Sequence, residues 1–131
     1  MTDDALVLIG EDEPDNQVIL QTVVESLVGA RAAVASDGLA VLASVERERP
    51  KMILLDLMLP ALDGFQVARQ LKGDPTTRMI PIVAVSAMAR PDDREAALAA
   101  GCDEFVRKPF ELDDLEALIR KYLANGAQPP Q

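Results

Sequence analysis

Apolar residues gather in short runs: ALVLIG (5–10), ARAAVA (30–35), KMILLD (51–56), PIVAVS (81–86) and CDEFV (102–106). Runs 5–10, 51–56 and 81–86 stay apolar instead of alternating, the pattern of strands covered on both faces. Run 30–35 is weaker and reads as an edge strand. The stretches between them carry helical punctuation. Pro14 follows Asp12 and Glu13 where a first helical turn accepts proline. Leu20, Val23, Val24 and Leu27 then form a one-sided stripe that Gly29 ends. Asp37-Gly38 opens a second helix carrying Leu39, Leu42 and Val45, with Pro50 beyond its end. Asp63 precedes a helix over 64–72 closed by Gly73, and Pro91 starts one that runs to Gly101. Segment 111–123 sets Leu112, Leu115, Leu118, Ile119 and Tyr122 on one side. The tail 125–131, NGAQPPQ, has no periodicity and reads as disordered, leaving residues 1–124 as one domain.

Strands alternating with helices imply right-handed crossovers and an open parallel sheet. The expected fold is α/β: a flavodoxin-like, doubly wound, five-stranded parallel sheet in the order 2-1-3-4-5 with five helices. Ligands in such sheets sit outside the carboxyl ends of the strands. Glu11-Asp12-Glu13 follows strand 1, Asp56 ends strand 3, Ser86 ends strand 4, and strand 5 leads to Lys108-Pro109. Each residue alone has an ordinary explanation. Asp56 would cap a turn, Glu13 and its neighbours would favour a helix start, Ser86 would be a routine hydroxyl and Lys108 a surface charge. Their joint position at one rim points elsewhere. Clustered carboxylates repel unless a cation intervenes, and hard oxygens of this kind suit Mg²⁺ with phosphate as co-ligand. Lys108, the Ser86 hydroxyl and the Ala87 N–H could each serve a phosphoryl oxygen. Asp56 is the candidate nucleophile, since a carboxylate can take a phosphoryl group as a mixed anhydride.

Composition narrows the classes. The 131-residue chain carries a formal charge of −9 and only 3% aromatic residues, which argues against nucleic acid or an anionic membrane as partner. It has no histidine, so Ser-His-Asp and Cys-His catalysis are excluded and ordinary zinc sites disfavoured. Cys102 is the single cysteine and reads as a small buried hydrophobe, in keeping with a cytoplasmic setting. No apolar run approaches the ~20 residues of a membrane span, and TDD after Met1 is not a signal peptide.

The stretches EDEPDN (11–16), SDGLAVL (36–42), ILLDLMLPALDG (53–64), PIVAVSA (81–87) and AAGCDEFVRKPF (99–110) together resemble a response-regulator receiver domain, the phosphoacceptor module of two-component signalling. The resemblance covers residues 5–123. It implies a signalling protein rather than an enzyme in the usual sense, phosphorylated on Asp56. It implies Mg²⁺ held by Glu11, Asp12, Asp56 and the carbonyl of Met58. Ser86, Ala87 and Lys108 would bind phosphate, Ser86 and Phe105 would act as switch residues, and Lys108-Pro109 would be cis. The implied partners are a sensor histidine kinase or histidine phosphotransfer protein and a downstream protein target, with the chain a monomer or weak dimer. Too few residues follow Tyr122 for an output domain, so a stand-alone receiver is expected. Val18, about 160° from the centre of the helix-1 stripe at 100° per residue, points weakly to a docking surface.

Other classes of function remain to be weighed. An aspartyl-nucleophile phosphatase needs a second Asp two positions beyond the first, where Met58 stands. A flavodoxin-like cofactor binder needs a Ser/Thr/Gly loop after strand 1, where EDEPD would repel phosphate. A receiver that works by binding alone, unphosphorylated, stays open.

The chain departs from the family pattern in places. Glu11 stands where Asp is commoner and reaches one methylene further. Phe105 replaces a frequent Tyr, so no phenolic hydroxyl is available. Met58 and Met88 occupy positions that tune hydrolysis in similar proteins, and neither can orient an attacking water by hydrogen bonding. Slow loss of phosphate is therefore expected. A fast dephosphorylation rate that a polar substitution at Met58 does not change would contradict it.

Overall fold

A strand that is apolar at every position needs cover on both faces, and the chain supplies it by sending successive helices to opposite sides. The computed structural model describes residues 5–87 and 90–125. Strands β1 (Leu6–Gly10), β2 (Arg31–Ala35), β3 (Met52–Leu55), β4 (Ile82–Ser86) and β5 (Glu104–Arg107) form one parallel sheet in the order β2-β1-β3-β4-β5. The helices are α1 (Pro14–Thr22), α2 (Gly38–Arg47), α3 (Gly64–Gly73), α4 (Pro91–Ala99) and α5 (Leu112–Asn125), with α1 continuing as a π-helical segment, Val23–Val28. This is the flavodoxin-like order expected, with β2 at an edge.

Because side chains alternate along a strand, each uniformly apolar run feeds two cores. Leu8, Ile53, Leu55, Ile82 and Ala84 pack with Val41, Val67 and Ala97 from α2, α3 and α4. Val7, Ile9, Met52, Leu54, Val83 and Val85 pack with Leu20, Leu115 and Ile119 from α1 and α5. Both layers are fully enclosed at their centres; Val7, Ile9, Ile53, Leu54 and Ile82 have 0% exposure. Among the described residues no helix is long and apolar enough to cross a membrane.

Three local features differ from the sequence reading. The stripe on the first helix was expected to include Leu27, yet Leu27 is 40% exposed and Val28 is buried instead. The cause is the π segment, in which the Gly29 N–H donates to Val24 O, five residues back, at 3.0 Å. The wider turn rotates the next side chain inward. Strand β5 begins two residues later than its apolar run, because the Cys102 N–H still closes α4 by donating to Ala97 O at 3.0 Å. Gly73 is the last residue of α3 and not a left-handed cap, whereas Gly29 and Gly101 do have positive φ, 85° and 111°. Helix α5 continues to Asn125, and the tail from 126 onward lies outside the described residues.

Tyr122 is the only tyrosine and is buried in the α5 face, its hydroxyl 3.3 Å from Glu104 Oε2. Burial, together with the Glu104 and Asp103 charges and the Glu104 hydrogen bond, pushes its phenol up to about 12. The native state thus keeps a proton that the unfolded chain releases near pH ~10. Its contribution to stability is complete below that value and disappears as pH rises through about 12. With no tryptophan present, absorbance near 295 nm should report a native titration midpoint close to 12. An ordinary midpoint near ~10 would contradict this burial.

Candidate functional site

The last rungs of the ladder carry the site. The Glu11 N–H donates to Ala35 O at 3.0 Å, the Asp56 N–H to Gly10 O at 2.9 Å, and the Lys108 N–H to Ser86 O at 2.9 Å. Each of these residues lies one step past a strand, yet its backbone is still held by the neighbouring strand. The Lys108-Pro109 peptide is cis. Two glycines close the loop after β3 onto this rim. A Cβ at Gly64 would come within 2.6 Å of both Asp56 O and Leu57 Cα, and one at Gly38 within 1.8 Å of Leu62 O. Asp63 then starts α3 with a capping box shared with Gln66.

The side chains converge on Lys108. Its Nζ lies 2.7 Å from Glu11 Oε1 and 3.0 Å from Asp56 Oδ2. The second Glu11 oxygen accepts the Glu13 N–H at 3.1 Å. The second Asp56 oxygen accepts the Met58 N–H at 2.9 Å and has Ser86 Oγ 3.5 Å away. Glu11 and Ser86 are fully buried and Asp56 is nearly so, while Asp12 is exposed. Burial pushes the Glu11 carboxyl above its ordinary value. Its bonds to Lys108 and Glu13 pull it back, the Asp56 charge raises it further, and the net direction is up. For Lys108 burial pulls downward, but the hydrogen bonds to Glu11 and Asp56 outweigh it and hold the ammonium protonated.

The charges do not balance. Glu11, Asp12 and Asp56 each offer a carboxylate oxygen, and the three lie within 4.8 Å of one another. Three carboxylates (−3) against one ammonium (+1) leave −2. Two like charges at this separation repel by ~3–4 kcal/mol at an effective dielectric constant near 20. Hard oxygen donors carrying surplus negative charge fit a divalent cation such as Mg²⁺.

The remaining candidates lie around this centre. Ala87 is exposed just past β4. Phe105 sits opposite Ala84 on β5 and packs, half-buried, against the α2–α4 core. Met58 is 58% exposed, and Met88 lies outside the described residues. Val18 is 62% exposed on α1. Glu13 occupies the N-cap position of α1, but its side chain caps nothing; its backbone N–H serves Glu11 instead. A cleft of about 360 Å³ opens beside Lys108, lined also by Asn16, Ile19, Ala87, Pro109, Phe110 and Leu112. Sequence reasoning missed Gln17, whose Nε2 donates to Glu11 O at 2.7 Å. A polar residue in an amphipathic helix carries no signal of such a contact.

Comparison with known proteins gives concordant results. A family model described as "Response regulator receiver domain" matches residues 7–120. An uncharacterised 14.6 kDa protein of Leptolyngbya boryana is 33% identical over 116 residues, 88% of each chain. The response regulator PleD of Caulobacter vibrioides is 45% identical over 86 residues, 66% of this chain and 19% of that protein. Most of the curated relatives it matches are about twice its length or longer. Among solved structures, the receiver domain of sensor histidine kinase PA1611 from Pseudomonas aeruginosa PAO1 superposes with a TM-score of 0.84 at 32% identity. That match covers 93% of this chain and 99% of the other, and the PA1611 structure has magnesium coordinated in its active-site cleft.

Removing the ammonium should expose the cost of this burial. Lys108→Met leaves the Glu11 and Asp56 carboxylates enclosed without a counter-charge and should lower stability by ~3 kcal/mol in metal-free urea unfolding at neutral pH. Adding Glu11→Gln to the same chain should recover most of that loss. A change within ~0.5 kcal/mol for Lys108→Met would show the ion pairs to be energetically idle.

Proposed function

This chain belongs to the response regulator receiver domain family, and on that premise we propose that it accepts a phosphoryl group on Asp56 from a phosphohistidine. The observation that carries the reading is the Lys108 ammonium bridging the Asp56 and Glu11 carboxylates, with the Ser86 hydroxyl at the other Asp56 oxygen. Receiver domains are signalling proteins that work with histidine kinases and downstream effectors. The donor here is a sensor histidine kinase or a histidine phosphotransfer protein, since this chain has no histidine to carry the group itself. One Asp56 carboxylate oxygen attacks phosphorus, the P–N bond breaks, and the imidazole leaves with the electron pair. The product is an acyl phosphate on Asp56.

Glu11, Asp12, Asp56 and the Met58 carbonyl are the proposed Mg²⁺ ligands. When bound, the ion offsets the surplus carboxylate charge and that of the phosphoryl oxygens. The protein's own groups do the rest. Lys108 exchanges carboxylate contacts for a phosphoryl oxygen, and Ser86 Oγ and the Ala87 N–H donate to others. Met58 presents a thioether where a phosphatase of this chemistry needs a general acid, so the group is retained rather than turned over.

Signalling follows from the same contacts. As Ser86 moves toward the phosphoryl group, Phe105 repacks and the α4-β5-α5 face changes shape. Shifting such an equilibrium from 1:99 to 99:1 takes ~5.5 kcal/mol of differential interaction, which a covalent dianion beside a lysine and a divalent ion is suited to supply. In this reading the domain acts by protein contacts or by passing phosphate onward.

Beryllofluoride with Mg²⁺ tests the site directly. Amide shifts at Ser86, Ala87, Phe105 and Lys108 should move in the native protein and stay put in Asp56→Asn. Equal responses in the two proteins would remove Asp56 from the centre of the reading.

A further inference from the structure

Glu11 is held from every side by groups that differ in kind. Its N–H belongs to the sheet, donating to Ala35 O at 3.0 Å, and its carboxylate is divided between Lys108 and the Glu13 N–H. Its carbonyl is met by the side-chain amide of Gln17 at 2.7 Å. The same Nε2 lies 3.2 Å from Ser36 Oγ, just past β2. One amide group on the second turn of α1 therefore joins the segments that follow β1 and β2. Gln17 is half-buried, while its neighbour Val18 faces solvent at 62% exposure.

We propose that Gln17 is a positioning residue for the divalent-cation site, holding the Glu11–Asp12 backbone in its ligating arrangement through the Gln17 Nε2 to Glu11 O hydrogen bond. The inference rests on the phosphoacceptor reading above. The physical need is specific. Without a cation the three carboxylates repel one another, and Asp12 and Glu13 have left the sheet and are not yet helix. Among the described residues, the carbonyl of the peptide joining Glu11 to Asp12 accepts its hydrogen bond from the α1 side, from Gln17. Lys108 restrains the Glu11 side chain but makes no such contact with Asp12, whose carboxylate is exposed. Pinning the intervening carbonyl restricts the Asp12 backbone as well. A metal arriving there meets ligands already gathered, so less of its binding free energy goes into ordering them.

The test separates positioning from general stability. Gln17→Met keeps chain length and helix propensity but removes the donor, and Ser36→Ala removes only the other partner. Mg²⁺ is titrated into each protein with no phosphodonor present, following the Glu11, Asp12 and Glu13 amide shifts, and metal-free urea unfolding is measured beside it. Gln17→Met should weaken Mg²⁺ binding about tenfold, the usual cost of losing a partner behind a metal ligand. Ser36→Ala should stay within about twofold of native, and the two should unfold alike without metal. Native Mg²⁺ affinity in Gln17→Met, or equal weakening by both substitutions, would overturn the assignment. Should Gln17→Met fold poorly, the native protein decides: the Gln17 side-chain amide protons should exchange slowly and show contacts to Glu11, and rapid exchange without such contacts overturns the proposal. If the native protein itself binds no Mg²⁺ at millimolar concentration, the phosphoacceptor reading fails before the role of Gln17 arises.

Discussion

A glutamate closed off from water, beside a second carboxylate, stays ionised only with a cation in contact, and Lys108 is that cation. The lysine reaches the acids from the far side of the site. It follows β5, Asp56 follows β3 and Glu11 follows β1, so β4 lies between lysine and aspartate in the sheet. The ion pairs thus tie together segments 52 and 97 residues apart in sequence. Loss of the ammonium would leave buried charge at the point where the two core layers meet the solvent, which is why so much of the rim depends on it.

The protein contains a second half-buried lysine, and the contrast is instructive. Lys72 Nζ meets Arg78 O, Ile80 O and Asp103 Oδ2 at 2.9–3.1 Å, and Asp103 in turn accepts the Ile82 N–H at 2.8 Å. One cation faces one anion, and the three Lys72 ammonium donors each have an acceptor. That network fastens α3, the following loop and the start of β4 at the opposite end of the sheet. It is complete as it stands. Lys108 faces more negative charge than it can neutralise, at the end of the sheet where parallel α/β folds bind ligands. An unbalanced cluster of ionisable groups in a cleft is a candidate for ligand binding. A balanced one is the mark of a staple.

Close backbone approach gives the site its shape. Helix α3 can enter directly behind Asp56 because residue 64 has no Cβ, and the 57–63 loop can lie on α2 because residue 38 has none. The Met58 N–H is thereby aimed at Asp56 Oδ1. The aspartate is held between a backbone donor and a lysine, so its orientation does not depend on its own rotamer preference alone.

Much of this was legible along the chain. Uniformly apolar runs can persist only where both faces are covered, so the β/α alternation and the edge position of β2 followed from pattern, while the order 2-1-3-4-5 came from the known architecture that five such units fit. Acidic, hydroxyl and ammonium residues directly after those runs had to collect at one rim, because parallel strands all end on the same side. Pattern could not reveal what depends on the exact path of the backbone. The π turn exchanges Leu27 for Val28 through a hydrogen bond five residues long, and β5 starts late because Cys102 is still closing α4. The Gln17 amide finds Glu11 O only once α1 is docked on the sheet. Hydrophobic periodicity records which face of an element is buried; pairings between polar atoms depend on ångström-scale placement that only the packed structure supplies.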